Sequence, residues 1–270
     1  MKGLILHDFK IGIKHRWWVY VVWAALVAGF TFLMMDTVAH NDTAPVSLGD
    51  LFIKWFRGMR APVLGESNHI YVPEECLCYQ LGCIFICAGF ITKELNNRKD
   101  QVLLRTSCRV DWWKSKCLWL VVNLLIFEAI FGSVLFAYVK ASGTVTFEIS
   151  SGLWNVGNYN ASGILWIMEL VVPVIAGTYA LGFGVMLAEL MSSPVIALMG
   201  GAGWITCSLF WKVPIFVGNS MMYYRNSYFE GNGYGASVAF VLCDAMICIA
   251  SYVAGKIYIS YISYRDDPAS

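Results

Sequence analysis

Residues 117–139 read CLWLVVNLLIFEAIFGSVLFAYV, an apolar stretch with a single charged side chain, Glu128. A bilayer hydrocarbon core about 30 Å thick is crossed by roughly 20 apolar residues in a helix, so this stretch predicts a transmembrane helix. The rest of the chain has a similar character, since 58% of its 270 residues are hydrophobic and only 14% are charged. Such a composition excludes a soluble domain of this length.

Five further apolar runs have comparable length, and their spacing predicts one all-α integral membrane domain over residues 1–270. Most of the cysteines fall inside these runs, where a thiol acts as a small packing residue, and no metal site is expected. The six predicted transmembrane helices are residues 17–35, 76–92, 117–139, 163–187, 194–211 and 237–262.

The distribution of Lys and Arg between these runs predicts the orientation, because positive residues are retained on the cytoplasmic side. Four lie before the first run, seven lie within residues 93–116 and one is Arg265, whereas the alternate connections hold six. Both termini are therefore predicted to be cytoplasmic, in a multi-pass protein of the cell membrane. The charge forms no basic soluble face, so nucleic acid is not an expected partner.

Two connecting segments have helical patterns. Within residues 1–16, apolar side chains fall on one helical face and basic side chains on another. This pattern predicts an amphipathic helix lying along the cytoplasmic interface. The alternative is a segment that serves only as a positively charged anchor. Apolar residues recur at helical spacing over residues 48–59, behind a capping box formed by Ser47 and Asp50. This second helix is expected to rest on the outer leaflet or on the rim of the bundle.

The connection between the fifth and sixth runs, residues 212–235, is too apolar for a free aqueous loop. We expect it to fold back into the protein as a partly re-entrant outer segment, because irregular backbone at membrane depth must be enclosed by protein or line a cavity. An interfacial aromatic belt is the alternative. The residues of this possible outer gate are Met221, Met222, Tyr223, Tyr224, Tyr228 and Phe229.

Residues 93–116 form the connection between the second and third runs and carry seven basic and three acidic side chains. An apolar patch at residues 102–104 interrupts the charge and predicts a short helix that docks onto a partner. Asp111 is expected to cap the next helix, with Trp112 and Trp113 at the headgroup level. The alternative is that the charge serves only to fix the topology.

The order of elements in this connection resembles that of the permeases of type-2 ABC transporters, a bacterial export family with six spans per permease. Family members have a Glu after the second span, a basic turn, a small apolar helix, a Ser-Arg-like element and a Lys that opens the third span. Asp100 and Cys108 stand where the family commonly has Gly and Pro. The matching residues are Glu94, Arg98, Lys99, Val102, Leu103, Leu104, Ser107, Arg109 and Lys116, and Arg105 lies among them.

The resemblance implies that residues 93–116 are a coupling element that sits in a groove of a separate ATP-binding subunit. The chain has no Gly-rich phosphate loop ending in Gly-Lys-Ser/Thr, so ATP and Mg²⁺ are expected in that partner, a dimer, and no cofactor is expected here. A second permease, the same chain or a different one, is expected to complete the pathway. Membrane lipid surrounds both, and the transported substrate stays open.

Three acids fall inside predicted spans, namely Glu128, Glu169 and Asp244. Charged groups at this depth are costly and normally face a bundle interior or a cavity. Glu169 shares a helical face with the small residues at positions 176, 180, 184 and 188, so it either hydrogen-bonds between helices or lines a pathway. The three acids also leave open an ion-coupled secondary transporter or a membrane-embedded enzyme.

Overall fold

The structure is a computed structural model, and it describes residue 12 and residues 16–39, 47–60, 72–92, 109–142, 167–225 and 235–265. All regular elements in these ranges are helical. A π-helical turn, Ile167–Val171, leads into α5, and two 3₁₀ turns, Val217–Asn219 and Tyr223–Arg225, follow α6. The α-helices are α1 (Trp17–Ala39), α2 (Leu48–Phe56), α3 (Glu74–Cys87), α4 (Arg109–Ser142), α5 (Val172–Met191), α6 (Pro194–Phe210) and α7 (Gly235–Arg265).

Within the described residues, five of the predicted spans become helices long and apolar enough to cross a membrane. We conclude that the chain is a multi-pass membrane protein. The fifth predicted span is the shorter apolar helix α6, which has 17 residues and is therefore about 26 Å long, less than the usual hydrocarbon thickness. The five long segments are Trp17–Met34, Glu74–Thr92, Val110–Ala141, Glu169–Met191 and Ser237–Tyr261.

One predicted helix boundary moves by eight residues at the start of α4. This helix begins at Arg109, so the last part of the predicted connection, residues 109–116, is already helical. Asp111 lies inside its first turn and pairs with Lys114 at 3.1 Å. Trp112 and Trp113 are buried in the bundle, and the Trp113 Nε1 donates to the Tyr252 carbonyl on α7 at 2.9 Å.

Helix α5 is the central element of the bundle, in contact with α3, α4, α6 and α7. Small residues allow these close approaches. Ala180 is fully buried, Gly184 lies against the Trp204 ring of α6, and Gly177 lies against Ser220. The predicted face of small residues therefore packs against protein, as expected.

Helix α2 begins with the predicted capping box, which the structure confirms: the Ser47 hydroxyl accepts from the Asp50 amide at 3.0 Å, and the Asp50 carboxylate accepts from the Ser47 amide at 3.1 Å. Its apolar face is not presented to lipid, because Trp55 and Phe56 are fully buried. The Trp55 Nε1 donates to the Thr31 hydroxyl of α1 at 3.3 Å. Of the two predicted positions, the structure therefore supports packing against the bundle.

Candidate functional site

The second membrane helix is interrupted three residues before the basic connection begins. Helix α3 ends at Cys87, the backbone turns through Ala88 and Gly89, and residues 90–92 are helical again. Gly89 has φ +81°, a left-handed conformation that side chains other than glycine rarely adopt. Such a break leaves carbonyls on one side and amides on the other without helical partners.

Two charged side chains from other elements bind these backbone groups. The Arg16 Nη2 donates to the carbonyls of Phe85 at 3.4 Å and Ala88 at 3.1 Å. The Glu189 carboxylate, on α5, accepts from the Gly89 amide at 2.9 Å and the Thr92 amide at 2.8 Å. A cation at the end of one helix and an anion at the start of the next both match the helix dipoles. Glu189 is 2% exposed, so these bonds form away from water and are strong.

A cation–π cluster lies beside the break. The Lys116 Nζ, fully buried on α4, is 4.9 Å from the Phe90 ring centroid and 5.3 Å from that of Trp112. Phe90 stacks on Trp119 with ring centroids 3.6 Å apart, and a side chain at Gly12 would overlap the Trp119 ring. We call this assembly of Arg16, residues 88–92, residues 112–119 and Glu189 the loop junction.

The loop junction holds both ends of the predicted coupling connection. Phe90 and Lys116 lie on either side of residues 93–108, so the contact between them closes the connection into a loop anchored on α1, α4 and α5. Lys116 is the predicted coupling residue that the structure places here, and Arg109 opens α4. The other predicted residues lie outside the described residues, namely Glu94, Arg98, Lys99, Val102, Leu103, Leu104 and Arg105.

The three predicted intramembrane acids belong to three elements. Glu128, on α4, is half-buried. Glu169 is buried in the π-helical turn before α5. Asp244, on α7, is fully buried, and its carboxyl oxygens make no hydrogen bond within the described part of the chain.

A polar side chain near Asp244 comes from the segment after α6. Ser220 lies beside the Asp244 carboxyl, although its hydroxyl is engaged with the Val217 carbonyl at 2.8 Å. Burying a carboxyl is costly unless it finds polar partners. The acid is therefore a group that a rearrangement of this segment would affect directly.

Residues 211–225, which we call the folded-back segment, are held together by two polar side chains that the sequence patterns did not single out. The Asn219 Nδ2 donates to the carbonyls of Trp211 and Val213, both at 2.9 Å. Arg225 is fully buried and donates through Nη1 to the Asn219 Oδ1 at 2.8 Å and through Nη2 to the Leu209 carbonyl at 2.6 Å. These bonds satisfy the polar groups of an irregular backbone that is buried in an apolar bundle.

The four gate residues that the structure describes all lie in this segment. Met221, Met222 and Tyr223 are buried, and Tyr224 is half-buried. The Tyr223 hydroxyl donates to the Leu170 carbonyl at 3.0 Å. The remaining two predicted gate residues, Tyr228 and Phe229, lie outside the described residues.

Helix α2 and the residues after it hold the folded-back segment in place. The Arg57 carbonyl accepts from the Tyr224 amide at 3.1 Å, and the Arg57 Nε donates to the Tyr224 hydroxyl at 2.6 Å. The Arg225 Nε donates to the Met59 carbonyl at 2.9 Å. Gly58 adopts φ +66° and lies against the Met222 side chain, where a side chain at position 58 would clash. The two segments form one hydrogen-bonded unit.

An aromatic cluster packs against this unit. The Phe56 ring lies 4.8 Å from Tyr79 and 6.2 Å from Tyr223, and Phe131 lies 5.0 Å from Tyr79, measured between centroids. Aromatic rings at these separations attract one another beyond their burial. These rings pack the space between α2, α3 and α4.

Sequence reasoning missed Arg16, Gly89, Glu189, Asn219 and Arg225 as organising residues. Two of these residues have a feature that can be recognised in the sequence. Gly89 is a glycine near the end of an apolar run, where a helix can break, and Glu189 is a carboxylate at the end of another such run. Their pairing depends on the approach of α5 to α3, which no local pattern reveals.

Comparison with known proteins adds no relative from which a role could be transferred. The chain matches no protein-family model, and no curated protein and no solved structure is significantly similar to it. The class of protein is therefore set by the fold, a multi-pass helical membrane protein. Its role must be argued from the loop junction and the folded-back segment.

Proposed function

We propose that the chain is the transmembrane subunit of an ATP-driven ABC exporter. In this proposal it has six spans, with α6 as the fifth, and both termini in the cytoplasm. It forms half of a pathway completed by a second permease, the same chain or a different one, in a bacterial cell membrane. ATP and Mg²⁺ bind to a partner ATPase dimer, which docks on the connection that follows the loop junction.

The observation that supports this proposal is the anchoring of both ends of residues 93–108 in the loop junction. A basic connection that served only to set topology would need no such attachment. Because Arg16, Lys116 and Glu189 bind the ends of the connection to α1, α4 and α5, a push on it reaches three membrane helices directly. That is the mechanical requirement for coupling a nucleotide cycle to rearrangement of spans.

The folded-back segment provides the second moving part of the proposed transport cycle. Met221 and Met222 are fully buried above an aromatic cluster, and Arg57 and Arg225 attach the segment to the rest of the protein. We assign it the role of an outer gate, closed in this conformation. Its opening would uncover Ser220 and Asp244, which would then line the pathway.

The proposal is tested by isolating the tagged full-length chain, with the products of its neighbouring genes co-expressed, in mild detergent. An ATP-binding subunit should copurify, and reversal of Glu94 and Arg98 to the opposite charges should abolish this association and ATP-dependent transport. Lys140→Glu, an exposed charge at the other end of α4, is the matched control and should change neither. Recovery of the chain without an ATPase, together with normal transport by the double reversal variant, would refute the proposal.

A second candidate, an ion-coupled secondary transporter, is favoured by the fully buried Asp244 carboxyl. Such a group can bind and release a proton or cation as access alternates. The two candidates separate in proteoliposomes that carry the chain and any copurified subunit. Transport that requires ATP and survives collapse of the ion gradient supports the exporter, whereas the reverse dependence supports the secondary transporter.

A further inference from the structure

An apolar groove of about 650 Å³ lies between α1, α3 and the beginning of α6. Its walls include Val22 on α1, Leu81 and Phe85 on α3, and Leu198 on α6. Val22, Leu81 and Phe85 are 49%, 38% and 62% exposed, so the groove is open at the surface of the bundle. In a membrane protein this surface faces lipid.

The two ends of the groove differ in charge. Arg16 lines one end, beside the exposed indole of Trp18, and Glu74 lines the other. Glu74 begins α3 and Cys87 ends it next to the Arg16 contact, about 20 Å away at the usual helical rise. An occupant with an anionic end is therefore attracted to the Arg16 end and repelled from the Glu74 end.

The Arg16 guanidinium has unused binding capacity. Its Nη2 is engaged with the carbonyls of Phe85 and Ala88, whereas its Nη1 is buried and makes no hydrogen bond within the residues that the structure describes. A guanidinium carries five donors in a planar fork and binds phosphate especially well. An incompletely bonded guanidinium at the edge of an apolar groove thus favours an anionic phosphate.

We infer that the groove is a binding site for a membrane phospholipid, with its phosphate at Arg16 and an acyl chain between α1 and α3. The depth of one leaflet, about 15 Å, fits within the length of the groove. The exposed Trp18 indole beside Arg16 is the kind of side chain that is enriched at the headgroup level. This site does not depend on an ATPase partner, so it is tested independently of the exporter function.

The test uses the full-length chain, stripped of lipid in detergent and titrated in native mass spectrometry with two probes. Dioleoylphosphatidylglycerol carries the phosphate, and dioleoylglycerol has the same acyl chains without it. The wild-type chain should bind the phospholipid about tenfold or more tightly, because the contact between phosphate and guanidinium is charge-assisted. Arg16→Gln should remove that preference and leave dioleoylglycerol binding unchanged.

Two groove-filling variants, Val22→Trp and Leu81→Trp, approach from opposite walls and should weaken binding of both probes. Leu242→Trp, on an exposed face of α7 outside the groove, is the matched control and should bind both probes as the wild type does. Loss of both probes in Arg16→Gln would show that this arginine only maintains the groove and would overturn the phosphate assignment. Unchanged binding in the two filled variants would overturn the site.

Discussion

The loop junction depends on Glu189, and its replacement by alanine should loosen the helix break without unfolding the protein. The carboxylate accepts from the Gly89 and Thr92 amides at 2.9 Å and 2.8 Å. Hydrogen bonds to charged groups contribute about 1.5–3 kcal/mol each. Removing a carboxylate that is 2% exposed also removes the cost of having buried it, so we expect a net local loss of about 2–4 kcal/mol.

Hydrogen exchange measured by mass spectrometry reports this loss directly, because it follows local opening. At the lower value, amide exchange in residues 88–92 should accelerate by about 30-fold, since 1.4 kcal/mol corresponds to a factor of ten. Glu189→Gln keeps one acceptor oxygen and should show a smaller acceleration. Glu74→Ala, which removes an exposed carboxylate from the other end of α3, is the control and should leave residues 88–92 unchanged.

The reasoning is wrong if exchange of these amides in Glu189→Ala stays within about threefold of wild type, because that ratio corresponds to less than 1 kcal/mol. A uniform acceleration throughout α3 and α5 would also contradict it. That pattern would show that Glu189 stabilises the whole bundle rather than the break.

Two further substitutions test the backbone turn and the folded-back segment by thermal unfolding in detergent. Gly89→Ala should destabilise the protein by about 1–2 kcal/mol, because φ is +81° there, whereas Gly132→Ala, in an exposed helical position, should stabilise it by about 0.5–1 kcal/mol. Equal shifts in the two variants would contradict the turn. Arg225→Lys should cost about 2–4 kcal/mol, because one ammonium group cannot replace three nitrogens that donate in different directions. If Arg225→Lys left the free energy of unfolding unchanged, a positive charge alone would be sufficient at this position.

The existence of the membrane helices could be predicted from the sequence because their cause is local. A run such as residues 117–139 buries its backbone in its own hydrogen bonds and its side chains in lipid or protein, whatever its neighbours are. The capping box of Ser47 and Asp50 was predictable for the same reason, since its partners lie three residues apart. Helix ends were predicted less well, and α4 begins at Arg109 instead of Cys117.

The residues of the candidate site were also predictable only where their cause is local. Lys116 and residues 221–224 were predicted because they stand out within their own segments, by charge in one case and by aromatic and sulfur content in the other. The structure adds one contact to the Lys116 prediction: its ammonium lies 4.9 Å from the centroid of the Phe90 ring. Only the approach of α3 to α4 determines that contact.

The sequence by itself therefore determined that this is a membrane protein, where its apolar helices lie and which connection carries the charge. The tertiary structure decided what the polar groups do. Glu189 and Gly89 are 100 residues apart, and Arg225 and Met59 are 166 residues apart. In a low-dielectric interior each buried polar group must find a partner, and the packing of the helices, rather than the local sequence, determines which partner is within reach.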